Sequence, residues 1–508
     1  MVRVRPSTGP DSRVDQPYDE FYDADGCVRP VYEQLARTVA SLGADELAVR
    51  TIERDMAHAD RGVTYDHQGV EAVFPFDPIP RILTESAWRH IAAGVRQRVR
   101  ALEAFLDDVY GAQQILADGV IPRALVLRST HFRREVHGLR PANGVRVHVS
   151  GVDLVRDADG TFLVLEDNLR VPSGVSYALD NRRTTTTRFP ELLRGYHVES
   201  IDTYPSQLLA ALRASAPDGV NDPTVVLLTP GPYNAAYFEH AYLARRMGIP
   251  LVQPSDLICS GGRCYLRSTR RSNEVHVIYR RIDDAYLDPV AFDPTSLLGV
   301  AGLIVAAREG TVTIANAVGN GVADDKLIGT WVPTMIDYYL GEQPLLGMVP
   351  TYRLNDPDEV AWVIANLDRL VVKPTDGAGG KGVVVGTTAT DEELTNLAGE
   401  LRAHPYRFIA QPIIPLSTHH TLDGRALHVD LRPFAINHGD HIWVMPGGLT
   451  RTGPAPGVLV VNSSQGGGSK DTWVLRPGNG RVRTSRSVIG LVDQVRADID
   501  TPNPEATQ

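Results

Sequence analysis

The stretch that decides the fold is Val152-Asp153-Leu154-Val155-Arg156-Asp157-Ala158-Asp159-Gly160-Thr161-Phe162-Leu163-Val164-Leu165-Glu166-Asp167-Asn168. Two β-branched and apolar runs flank Arg156-Asp157-Ala158-Asp159-Gly160, which has the composition of a hairpin turn. Side chains alternate faces along a strand, so Glu166 and Asn168 point the same way. Asp153 lies across the turn, and the hairpin can bring all three together. Two carboxylates and an amide oxygen suit Mg²⁺, a hard cation that completes its shell with phosphate oxygens and water. The competing reading is a solvated acidic strand face.

A second chemical cluster lies far downstream. Leu370-Val371-Val372-Lys373-Pro374 reads as a strand running into Gly377-Ala378-Gly379-Gly380-Lys381-Gly382, and Val383-Val384-Val385 as its return. Glycines let backbone N–H groups close over phosphates while a lysine adds charge. The loop is not a Walker A motif, because Gly382 rather than Ser or Thr follows Lys381. Nor does a helix follow it, as a dinucleotide fingerprint requires. Lys326, behind Asp324-Asp325, would by itself be an ordinary solvated lysine.

Together these segments resemble the ATP-grasp ligases, in a circularly permuted form related to glutathionylspermidine synthases. In the linear relatives the lysine pair precedes the metal hairpin; here it follows. Lys326 precedes Lys373 by 47 positions (373 − 326), the interval of the linear ligases. Pro172-Ser173-Gly174 follows the hairpin much as Pro-Gly does there. Phe74-Pro75-Phe76-Asp77-Pro78-Ile79-Pro80-Arg81, Tyr279-Arg280-Arg281-Ile282-Asp283-Asp284 and the segment 462–471 are similar to an uncharacterised, type 2 branch of the permuted proteins.

The resemblance implies an α/β fold: a circularly permuted ATP-grasp with a Rossmann-like pre-ATP-grasp domain and a helical N-terminal region. It implies ATP and one or two Mg²⁺ as cofactors. Lys326 and Lys373 would hold the phosphates, with Gly377, Gly379, Gly380, Lys381 and Gly382 covering them. Gln411, in Ile409-Ala410-Gln411-Pro412, would neighbour adenine. Asp153, Glu166 and Asn168 would bind the metal. The linear ligases often carry arginine two positions before the metal aspartate, and this chain has Gly151 there. Arg146, Arg170, Arg281, Arg432 and Arg451 are candidate replacements, Arg170 first and Arg281 second.

The implied activity is carboxylate–amine ligation through an acyl phosphate, with a small-molecule or peptide carboxylate and an amine as substrates. Two other readings stay open: a phosphotransferase, and a non-catalytic ATP-binding scaffold that assembles with a helical partner protein. A serine hydrolase is not favoured, since Gly174-Val175-Ser176-Tyr177-Ala178 lacks the second glycine of a nucleophile elbow. His419-His420 is no zinc signature.

Bulk properties agree. The 508 residues require several domains. Apolar and charged fractions of 43% and 22% are those of a globular protein. A net charge of −10 without a basic stripe gives no support to nucleic-acid binding. Three cysteines without paired spacing argue against a disulfide framework or a zinc site. The polar N-terminus predicts no signal peptide and no apolar run reaches a membrane span, so a cytoplasmic location is expected.

Periodicity predicts helices over Tyr32–Ala59 and 86–116, and Thr224–Leu228, Ala235–Met247 and Gly248–Val252 form a β–α–β unit. The expected organisation is a mobile N-terminus (1–16), a helical region (17–122), a metal-binding half lobe (123–204), the Rossmann-like domain (221–319), the nucleotide lobe with return strands (320–475) and a tail (476–508).

Overall fold

The computed structural model describes residues 16–67, 70–267, 273–377, 382–461 and 466–477. The expected N-terminal and C-terminal tails therefore fall almost wholly outside the described residues.

The N-terminal region is mainly helical but does more than expected. The helix predicted over Tyr32–Ala59 is two helices, Glu33–Leu42 and Ala44–Asp60. They part at Gly43, whose φ of 76° lies where residues with a Cβ are disfavoured. Thr84 caps the long helix Glu85–Val109 by accepting from the Ala87 amide. That helix buries Ile91, Val95, Val99, Leu102, Phe105, Leu106 and Val109 along one stripe. Between them Phe76–Leu83 is a strand despite Pro78 and Pro80. It is tolerated because it forms the sheet edge, paired parallel to Ser469–Val474 with a register shift between Lys470 and Thr472.

A ten-stranded sheet among the described residues dominates the molecule. The early hairpin, Val149–Arg156 and Phe162–Asn168, is antiparallel, with Asp153 opposite Glu166 and Gly151 opposite Asn168. Its neighbours come from the far end of the chain. Leu154 faces Leu431 of strand Ala426–Arg432, and Gly151 faces Phe434 of strand Phe434–Asn437. Strands Leu449–Thr452, Ser469–Val474 and Phe76–Leu83 extend the sheet outward. Expected separate segments are thus woven into one sheet.

The β–α–β expectation is met. Strands Thr313–Ala315, Val277–Arg280, Val225–Leu228 and Leu251–Val252 form a parallel sheet with helix Tyr237–Met247 connecting the last two. Val225 to Leu228 are all buried, as a strand covered on both faces should be. Asn316, just past this sheet, ties it to the acidic hairpin. Its Nδ2 donates to Val149 O and Leu169 O at 2.7 Å, and its Oδ1 accepts from Val149 N at 2.8 Å.

A smaller antiparallel sheet, Val384–Val385, Leu370–Pro374 and Phe408–Pro412, carries Lys373 and Gln411. Helices Pro357–Ala365 and Asp391–Ala403 flank it, and Val363, Leu370, Val372, Leu397 and Leu401 give it a core of its own. The backbones of Tyr352 and Ala410 exchange hydrogen bonds of 2.7 and 3.2 Å, anchoring this lobe to the preceding segment. Among the described residues, no helix is long and apolar enough to cross a membrane.

Candidate active site

The early hairpin and the later lysines wall one cavity of about 500 Å³, within the range of small-molecule sites. Asp153, Glu166, Asn168 and Arg170 line it from the first, and Lys326, Lys373, Gly377 and Gln411 from the second. Gly382, on the return side of the loop, has φ +73°, where glycine is favoured. Gly379, Gly380 and Lys381 lie outside the described residues.

Lys326 begins a short helix, Lys326–Gly329, whose first amides are capped by Asp325. Its Nζ donates to Gly377 O at 2.5 Å and stands 3.4 Å from Glu166 Oε2. Lys373 is desolvated in the cavity wall, and burial pushes its ammonium down to about 8. Lys326 reinforces that shift while Glu166 and Asp153 oppose it. These interactions bring both lysines and both carboxylates into one electrostatic unit.

Asp153 is 1% exposed. Arg432 forks it, Nε to Oδ1 at 2.5 Å and Nη2 to Oδ2 at 2.7 Å. Arg451 Nη2 adds a bond to Oδ2 at 2.7 Å and also pairs with Asp430. Burial works against its charge, yet the two guanidiniums hold the carboxyl well below the usual range. A carboxylate offers roughly four lone-pair directions; with these bonds formed, Oδ1 keeps one.

Of the five candidate arginines, Arg432 is the one that crosses Gly151. A Cβ at Gly151 would lie 3.3 Å from Arg432 Cδ and 3.3 Å from Pro172 Cβ. The glycine leaves room for an arginine to enter from the neighbouring strand. Arg170, the first choice from sequence, does line the cavity, with its guanidinium 2.9 Å from Asp283 and 3.6 Å from Asp324. Arg281 does not line it. It is 5% exposed, 2.9 Å from Glu239, and donates to Pro172 O and the Tyr279 hydroxyl. Its guanidinium is committed behind the wall, which corrects its assignment as a catalytic candidate. Arg146 is also buried elsewhere, donating to Leu139 O.

Asp324 was not singled out from sequence, though it stands beside Asp325 and Lys326. Only the fold separates the two aspartates, Asp325 into a helix cap and Asp324 into the cavity wall. Asp324 accepts from Leu169 N at 2.6 Å and Arg170 N at 3.3 Å. Burial pushes its carboxyl up to about 7, against the pull of Arg170 and these two amides.

Gln411 is buried in the cavity wall and its Nε2 donates to Thr351 Oγ1 at 2.9 Å. Val349, Val371, Val385 and Ile413 line the cavity with it, a surface suited to a flat heterocycle. At the other side, Asn168 Nδ2 is buried with no hydrogen-bond partner among the described residues. A phosphate oxygen accepting from it would remove that cost. Among the described residues, no three His, Cys, Asp or Glu stand together to hold a metal ion. The remaining Asp153 lone pair, Glu166 and the Asn168 amide nevertheless fit one Mg²⁺ that draws its other ligands from phosphate and water.

Comparison with known proteins agrees with this architecture. The chain belongs to the circularly permuted ATP-grasp type 2 family, which it matches over residues 80–453. An uncharacterized protein of Mycobacterium tuberculosis is 50% identical over 483 residues, covering 94% of this chain and 87% of that one. One from Synechocystis is 47% identical over 466 residues, covering 90% and 97%. A Frankia alni protein with the provisional name glutamate–cysteine ligase 2-3 is 46% identical over 467 residues. That match covers 90% of this chain but 54% of the relative, so the chain spans about half its length. A glutathione synthetase-like effector from Globodera pallida, solved in its apo form, shares the fold with a TM-score of 0.56. At 11% identity, covering 84% of this chain and 97% of that one, it speaks to fold alone.

Proposed function

We propose that this chain is an ATP-dependent ligase joining a carboxylate to an amine. The observation that carries the reading is the single cavity in which Lys326 and Lys373 face Glu166, Asn168 and the Arg432–Asp153 pair. Two ammonium groups and a partly free carboxylate set match a triphosphate with its counter-cation, and an apolar slot beside Gln411 matches the base.

Lys326 and Lys373 hold the phosphates, with Gly377 beside them. Asp153, Glu166 and Asn168 would hold Mg²⁺, which would neutralise charge on the transferring phosphoryl group. The substrate carboxylate attacks the γ-phosphorus, the bond to the ADP oxygen breaks, and an acyl phosphate forms. The amine nitrogen then attacks the acyl carbon, gives up its proton, and inorganic phosphate leaves. Arg432, with Arg170 at the opposite wall, steadies anionic oxygens in both steps. Asp324, which takes a proton near neutrality, is placed to receive the one the amine loses. Catalysis then rests on positioning and charge, with no protein nucleophile. The expected setting is the cytoplasm, where ATP is supplied.

The test is ADP release with a panel of amino acids, short peptides and polyamines, with mass spectrometry of the product. Glu166→Gln should lower turnover by about 100-fold or more. Undiminished turnover in that variant, or nucleotide binding without ADP release in any mixture, would remove the proposal.

A further inference from the structure

The cavity does not stop at the phosphates. Beyond Arg432 it is walled by Tyr65, Phe74, Tyr177, Leu449 and Leu459. Phe74 stacks on Tyr177 with centroids 4.2 Å apart and meets Tyr65 edge-on at 5.6 Å. The Tyr177 hydroxyl is satisfied by donating to Thr64 O at 2.9 Å.

This wall is joined to the reacting end. Arg432 Nη1 donates to Ser173 O at 3.1 Å, and Leu449 stands opposite Arg432 in the strand pair. A Cβ on Gly174 would lie 2.9 Å from Leu449 Cδ2, so Gly174 and Leu449 close the corner between them. Helix Val175–Arg188 starts there and carries Tyr177. Its first amides offer no anion site: Glu239 Oε2 already accepts from Gly174 N, Ser176 N and Ser176 Oγ at 2.7 to 3.1 Å. Arg432 is a cation of the same cavity lining, and three of its five N–H donors are used.

The acidic groups lining the cavity belong to the other end. Asp153 is bound to Arg432 and Arg451, Glu166 lies beside Lys326, Asp167 pairs with Arg98 and Asp324 receives two amides. Asp376 precedes the glycine loop. Among the described residues, Asp153, Glu166, Asp167 and Asp324 therefore already have partners of their own. Burial of a charged side chain without a partner is costly, whereas burial of an apolar one against this wall is favourable.

We infer that the carboxylate substrate carries an aromatic or branched aliphatic side chain, which fills this chamber while its carboxyl group lies on Arg432. The inference rests on the ligase reading and narrows it to a substrate class: an apolar amino acid, or a peptide ending in one.

The experiment uses the full chain with MgATP and hydroxylamine as a side-chain-neutral amine, reading hydroxamate from N-acetyl-phenylalanine, N-acetyl-leucine, N-acetyl-glutamate and N-acetyl-lysine. MgATP affinity is measured in parallel by calorimetry. The apolar acids should be used at least about tenfold better in kcat/KM. Leu459→Glu and Tyr65→Ala, both at partly exposed positions, should erase that preference while MgATP affinity stays at the wild-type value. Equal use of all four acids, preference for the charged ones, or bound nucleotide with no hydroxamate from the apolar pair would overturn the inference alone. Failure to bind MgATP would instead remove the ligase reading beneath it.

Discussion

Lys373 carries a pH dependence that can be read directly. Its free-state pKa of about 8 means that raising the pH through 8 discharges the ammonium before phosphate can meet it. MgATP affinity should therefore fall between pH 7 and 9, and calorimetry across that range would show it. Lys373→Arg stays charged throughout and should flatten the profile; equal slopes in both proteins would show that Lys373 does not face the phosphates. Lys373, Glu166 and Asn168 could be singled out in the sequence because strand alternation and a glycine loop declare themselves locally, whereas Lys326 was named only through the family resemblance. Arg432 was only one of five arginines there. Its role depends on strand Ala426–Arg432 lying beside Val149–Arg156, and neighbourhood across 279 residues (432 − 153) leaves no local trace. The one mark in the sequence was the glycine at 151, whose meaning appears once Arg432 is seen crossing it.

Elements were legible where one physical cause dominates. The parallel strand Val225–Leu228 is a continuous apolar run, and the helix Glu85–Val109 has a clear stripe and a threonine cap. The alternating run Val145-Arg146-Val147-His148-Val149 has the look of a strand, yet the strand begins only at Val149. Upstream, the amides of Arg146 and Val147 donate to the Glu103 carboxylate at 2.6 and 2.8 Å instead of to a neighbouring strand. The proline-bearing strand Phe76–Leu83 was invisible because only its edge place permits it. The start of helix Val175–Arg188 makes a prediction at this scale. Glu239 organises it, and among the described residues Arg281 is its ion-pair partner, both nearly fully buried. Arg281→Met should cost about 3–5 kcal/mol in urea unfolding by stranding the carboxylate, and adding Glu239→Gln should restore part of it. A loss under about 1 kcal/mol would show that the pair does not organise this corner.

At the scale of the molecule, the chain order is rearranged but the spatial order is not. An acidic hairpin from the first third sits beside strands from the last fifth, in one sheet, facing Lys373 from another sheet and Lys326 at the start of a short helix. Chemistry at a site depends on where the side chains meet, so a permuted chain can present it intact. The direct measurement is MgATP binding to the wild type, to Glu166→Gln from the early hairpin and to Lys373→Ala from the later lobe. The account predicts that each substitution weakens binding by about tenfold or more, and that the double variant loses less than the two losses combined because both groups act on one ligand. MgATP affinity unchanged by Glu166→Gln while Lys373→Ala abolishes it would place the hairpin outside the nucleotide site and contradict the account.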